Sequence, residues 1–99
     1  MKVVAFNGSP HHDGNTYHAL NVVGAELIKE GIDFEVVQVG SKVIRGCVAC
    51  NGCAKNQNER CVFATDEVND WIQKMKTAAG ILLGSPVHYA GVAGTMKSF

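Results

Sequence analysis

The chain has no excess of charge of either sign. Nine basic residues balance nine acidic ones, so there is no electrostatic footprint for nucleic acid or an anionic membrane surface. Charged residues are sparse, at 18% against the ~25% usual in globular domains. Much of the surface is therefore expected to be covered by a core, a cofactor or a partner. No apolar run approaches the ~18 residues of a membrane span. The opening MKVVAFNGSP has one lysine and too short an apolar run for a secretory signal, so the expected compartment is the cytoplasm. Internal repeats and linker-like stretches are missing too, and 99 residues are expected to form one domain, 1–99. Cysteine is missing from all but one window: Cys47, Cys50, Cys53 and Cys61 lie within GCVACNGCAKNQNERC. Cytoplasmic thiols stay reduced, which argues against a disulfide framework.

What is present alternates between two periodicities. KVVAF, Lys2 to Phe6, is a short apolar run that predicts a buried strand. SPHHDGN is turn chemistry. TYHALNVVGAELIKE places Leu20, Val23, Leu27 and Ile28 at helical spacing, with Gly31 as its C-terminal stop and Asp13 or Asn15 as its cap. Phe34, Val36 and Val37 mark a second strand, and the cysteine window, which has no periodicity, predicts a loop. Thr65 is expected to cap DEVNDWIQKMKT. In that helix Val68, Trp71, Ile72 and Met75 form an apolar stripe, Asp66 and Glu67 occupy the first turn, and Lys74 and Lys76 the last. Ile81 to Gly84 predicts a wholly apolar strand covered on both faces, followed by a glycine-bearing loop that opens a further helix. Strands alternating with amphipathic helices imply a parallel sheet with right-handed crossovers.

GSPHHDGNT joins the carboxyl end of the first strand to the first helix, the place where open α/β sheets bind ligands. Unpaired N–H groups and the helix dipole attract phosphate there. Ser9, Asn15 and Thr16 add side-chain hydrogen bonds, and Gly8 and Gly14 admit close backbone approach. The loop has no Lys or Arg, no G-K-[ST] and no G-x-G-x-x-G, so it is neither a Walker A loop nor a dinucleotide fingerprint. An ordinary strand–helix connection is the plainer alternative. His11 and His12 are adjacent and diverge, which argues against a shared metal. His18 is expected to be exposed, and Trp71 to belong to the core.

Taken in order, FNGSPHHDGNT, GCVACNGC…C and GILLGSPVHYAGVAGTMKSF resemble the flavodoxin-like NAD(P)H-dependent FMN reductases, and within them the branch of the iron–sulfur flavoproteins. The resemblance runs the length of the chain. It implies a flavodoxin-like three-layer α/β/α fold with a parallel sheet, expected here to be truncated after the third strand. It further implies that Ser9, His11, Asn15 and Thr16, with Gly14 as spacer, hold the FMN phosphate, and that Pro86, Val87, His88 and Tyr89 flank the isoalloxazine ring. The family usually has Tyr where His88 stands, and imidazole could supply part of the stacking.

For Cys47, Cys50, Cys53 and Cys61 the resemblance implies metal ligation to a [4Fe-4S] cluster, with the spacing at the long end of the family pattern. Thiolates on a tight loop suit a cubane. Free thiols beside the flavin, a zinc site and a disulfide stay open. The implied activity is FMN-dependent oxidoreduction, with hydride from NAD(P)H to flavin and electrons onward to a quinone or other acceptor. The alternatives are an iron–sulfur flavoprotein carrying electrons between protein partners, and a non-catalytic truncated remnant. The third strand would form a bare edge, so a homo-oligomer is expected.

Overall fold

The computed structural model describes residues 1–63 and 66–99. β1 (Lys2–Asn7), β2 (Asp33–Gln38) and β3 (Gly80–Gly84) form a parallel sheet in the order β2-β1-β3. β1 is central, pairing Phe6 with Val37 on one side and with Leu83 on the other. Side chains alternate across a strand, so Val4, Phe6, Glu35, Val37, Ile81 and Leu83 share one face. Val3, Ala5, Asn7, Phe34, Val36, Gln38 and Leu82 share the other.

Each face has its own helix, as a flavodoxin-like α/β/α fold requires. α1 (Asn15–Lys29) lies on the Asn7 face. Its line of contact is Leu20, Gly24 and Leu27: Leu20 and Gly24 are buried and Leu27 is half-buried, whereas Val23 and Ile28 of the expected stripe are exposed. Gly24 explains the rotation. A Cβ there would enter the Phe34 ring, so the bare backbone of Gly24 lets the helix settle directly on β2. The helix starts at Gly14, with neither Asp13 nor Asn15 making a side-chain cap bond. It ends, as expected, at Gly31, whose φ is +76°.

α3 (Val68–Thr77) covers the other face, where Trp71 joins Val4, Phe6, Val37 and Val39 in the core and Val68 and Met75 pack around them. Full burial of such side chains contributes about 1.5–3 kcal/mol each. Asp66 and Glu67 precede the helix instead of forming its first turn. Asp66 accepts a hydrogen bond from the Val68 amide at 3.1 Å, which satisfies one of the helix's unpaired donors. Thr65, the expected cap, lies outside the described residues.

Glu35 pins α3 over β1 and β2: its carboxylate pairs with Lys2 at 2.7 Å and with Lys74 at 2.6 Å. Hydrogen bonds from these two ammonium groups hold the Glu35 carboxyl below the usual carboxylate range. With α3 centred there, β3 is not covered on both faces. Ile81 is 43% and Leu83 64% exposed.

Two expected loops contain structure. α2 (Gly52–Asn56) interrupts the cysteine segment between Asn51 and Gln57, both in the left-handed region. After β3 the chain forms a hairpin, β4 (Val87–His88) against β5 (Gly91–Val92), and then α4 (Gly94–Ser98), the expected further helix.

Candidate functional site

Three parallel strands end at one edge of the sheet, at Asn7, Gln38 and Gly84. The segments leaving those ends hold every residue expected to bind something.

The first segment is stitched down. The Gly8 amide donates to the Gly84 carbonyl at 2.7 Å, and the Val39 and Gly40 amides both donate to the Asn7 carbonyl. Ser9 is 4% exposed. Its amide donates to Asn7 Oδ1 at 3.0 Å, its carbonyl accepts from Gln38 Nε2 at 2.8 Å, and its hydroxyl accepts from the His11 amide at 3.1 Å. The hydroxyl proton thus stays available to a further acceptor. Thr16 and Gly14 are half-buried; His11 and Asn15 are exposed. With Gly14 as N-cap and no side-chain cap bond, the first-turn amides of α1 form a neutral donor set at the positive end of a four-turn helix. That set suits a phosphate. His12, beside His11, stacks on Tyr17 with centroids 5.6 Å apart, and His18 is exposed.

The second pair of flanks comes from the hairpin. Pro86 is half-buried, while Val87, His88 and Tyr89 are exposed, Val87 at 77%. Tyr89 and Ala90 form the turn at φ +51° and +62°. Two positive φ values define the type I′ geometry that joins two-residue hairpins, normally reserved for Asn and Gly. Ser85 ties the hairpin's base, its hydroxyl accepting from the Ala93 amide at 2.9 Å. The hairpin follows the same end of the parallel sheet as the first loop, and its exposed side chains can lie against a planar ring.

The cysteines occupy the segment after β2. All four are free and exposed. They line one cavity of about 280 Å³, together with Val62, Phe63, Ile72 and Phe99. Among the described residues, no three His, Cys, Asp or Glu side chains stand close enough to share a single metal ion. The donor type suits iron–sulfur chemistry, and the common cavity suits it too; cluster binding requires the segment to draw the thiols together. That segment has unusual backbone, with Ala49, Asn51, Gln57 and Glu59 all at positive φ. α3 anchors its far end. Asn69 Oδ1 accepts from the Cys61 amide at 2.7 Å, and Asn69 Nδ2 donates to the Cys61 carbonyl at 2.9 Å. Glu59 forms an ion pair with Lys76.

Sequence reasoning missed four residues. Asn7 and Gln38 hold Ser9 by its peptide groups, Gly40 gives Ser9 room, and Asn69 holds Cys61. A visible signal existed for Asn7 alone, a polar side chain at the end of an otherwise apolar strand. The others act across 29 or 31 residues or from a helix face that looks merely solvated.

The family model for NADPH-dependent FMN reductase matches residues 1–99. An iron-sulfur flavoprotein of Methanocaldococcus jannaschii is 36% identical over 97 residues, covering 98% of this chain and 49% of that protein. One from Archaeoglobus fulgidus is 34% identical over 100 residues, covering 100% and 44%. One from Methanosarcina thermophila is 28% identical over 101 residues, covering 99% and 50%. The chain thus spans about half the length of the curated relatives it matches. No solved structure matches. The parallel β2-β1-β3 sheet, its uncapped first loop and the match along the entire sequence agree: this chain belongs to the NADPH-dependent FMN reductase family.

Proposed function

We propose that this chain binds FMN and serves NAD(P)H-dependent reduction of the flavin, with electrons passing on to a quinone or another acceptor. The observation that carries this reading is the family match across residues 1–99, falling on a chain whose phosphate-type loop and apolar hairpin leave the same sheet edge. The phosphate is held by Ser9, His11, Asn15 and Thr16, with Gly14 as spacer. Pro86, Val87, His88 and Tyr89 flank the ring. When bound, the flavin supplies the hydride and electron chemistry, so no side chain is required as acid, base or nucleophile. The protein's part is to neutralise the phosphate through amides and hydroxyls and to cover the ring.

Thr16→Leu tests the phosphate site. It removes a hydroxyl and crowds the first turn of α1, where the Thr16 methyl already lies near Gly84. A hydrogen bond to a charged group is worth about 1.5–3 kcal/mol, so FMN affinity should fall roughly tenfold or more. An unchanged FMN titration would refute the assignment.

The four cysteines on one cavity favour a second reading, in which a [4Fe-4S] cluster on Cys47, Cys50, Cys53 and Cys61 joins FMN in an electron carrier between protein partners. Relatives named iron-sulfur flavoproteins support it. Anaerobic reconstitution followed by iron and thiol assays decides it: four freely titratable thiols and no iron exclude the cluster, and steady NAD(P)H oxidation by the iron-free protein favours the reductase.

A further inference from the structure

Asn7 has no solvent exposure, sits at the end of the central strand, and is not in the set of groups that would face a flavin. A fully buried side-chain amide is costly unless its hydrogen bonds are met. Here they are met by one neighbour and by one stretch of backbone. Asn7 Oδ1 accepts from the Ser9 amide at 3.0 Å, Gln38 Nε2 donates to the Ser9 carbonyl at 2.8 Å, and Asn7 Nδ2 donates to Gln38 Oε1 at 2.9 Å. Backbone chemistry fixes both amide orientations. An N–H can only be met by the Asn7 oxygen and a C=O only by the Gln38 nitrogen, which leaves the remaining amine and oxygen to pair with each other. The result is a closed circuit through Asn7, Ser9 and Gln38. Asn7 Nδ2 also approaches the His11 carbonyl at 3.4 Å.

We infer that Asn7 and Gln38 are positioning residues that set the phosphate selectivity of the first loop. This rests on the FMN reading above. Ser9 is gripped by both its N–H and its C=O, from two different strands, so its hydroxyl cannot drift relative to the sheet. Through the Ser9 hydroxyl the His11 amide is fixed as well. The backbone between Asn7 and His11 therefore holds its shape before any ligand arrives, and preorganised donors bind an anion without an ordering cost. The three hydrogen bonds of the circuit join Asn7, Ser9 and Gln38 and involve no residue of the hairpin that would flank the ring. Its effect should therefore fall on the phosphate and spare the isoalloxazine.

That separation supplies the test. Dissociation constants for FMN and for riboflavin, which lacks the phosphate, are measured by flavin fluorescence in the wild type, in Gln38→Met and in Val36→Ala. Gln38→Met keeps length and loses both hydrogen bonds; Val36→Ala loosens the same face of β2 without touching the circuit. Gln38→Met should weaken FMN roughly tenfold and riboflavin less than about twofold, collapsing the preference between them. Val36→Ala should lower the melting temperature and leave the preference intact. Equal weakening of both ligands in Gln38→Met, or an intact preference, overturns the inference. A measurement on the wild type covers the case of a variant that does not fold. The Gln38 and Asn7 side-chain amide signals in a ¹⁵N–¹H spectrum should move on adding FMN and stay in place on adding riboflavin; identical responses overturn the inference. A wild type that shows no preference for FMN over riboflavin refutes the phosphate site itself, a distinct failure visible before any variant is made.

Discussion

Gly40 follows β2 at the point where the backbone of the first loop crosses it. A Cβ on Gly40 would run into the Ser9 and Gly8 carbonyls, and backbone cannot swing aside as the tip of a side chain can. Gly40→Ala should therefore cost about 1–3 kcal/mol in a chemical melt, the usual range for overpacking, and should weaken FMN binding by displacing Ser9. Glu35 makes a smaller contribution with a definite pH signature. Its carboxyl titrates below its ordinary value because Lys2 and Lys74 bond to its charged form. A carboxyl of this kind adds stability above its unfolded-state pKa, and that stability disappears as pH falls through the folded-state value. The pair is partly exposed, so the effect is modest. Glu35→Gln should be less stable than the wild type by up to about 1 kcal/mol near neutral pH. The difference should close on acidification below the ordinary glutamate value of 4.5, as thermal melts across pH would show.

The hairpin and the cysteine segment both carry backbone in conformations their residues disfavour. Tyr89 and Ala90 occupy the two positive-φ positions of the turn, at a cost of about 1–2 kcal/mol each for residues with a Cβ. Ala90→Gly should raise the melting temperature by several degrees and leave FMN affinity unchanged. Tyr89→Asn should also stabilise the chain but weaken flavin binding, because it removes an aromatic ring proposed to flank the isoalloxazine. Parallel melts and FMN titrations separate the two outcomes. In the cysteine segment, the two bonds from Asn69 to the Cys61 peptide join α3 to the fourth thiol of the cavity. Asn69→Ala should lower iron uptake on anaerobic reconstitution and speed alkylation of Cys61, with a stability loss near 1 kcal/mol.

The molecule is a slab of 42 × 35 × 19 Å. Its Cα radius of gyration is 14.4 Å, above the ~13 Å of a compact domain of about 100 residues. Leu83, Ile81, Val87, Val92 and Tyr89 are large hydrophobic side chains left exposed. β3 pairs with β1 alone among the described residues, so its outer edge presents unpaired backbone beside bare leucine and isoleucine, a surface prone to association. This chain should self-associate at micromolar concentration. Leu83→Lys should yield a monomer at little cost in stability, since that side chain is already 64% exposed. Light scattering over a dilution series checks this, and a wild type that stays folded and monomeric at every concentration would refute it.

Much of this was legible in the order of residues. Short apolar runs alternating with amphipathic stretches sufficed for the parallel sheet, because period and turn chemistry are local. Gly31 as a stop and Trp71 as core followed from the same patterns, and the spacing of the cysteines placed them on one segment. Tertiary structure decided what depends on distant partners. The sequence shows Leu83 and Phe6 as equally apolar; the seat of α3, tied to β2 by Glu35 and Lys74 across 39 residues, and the Phe99 ring packed on Phe6 bury Phe6 and leave Leu83 bare. The stripe drawn through Val23 and Ile28 turned away from the sheet because Gly24 meets Phe34, a contact no periodicity contains. Asn7 and Gln38, 31 residues apart, become one support for Ser9 because parallel pairing sets them side by side on adjacent strands. A hydrogen bond belongs to two atoms, and a sequence names its atoms without stating which of them meet.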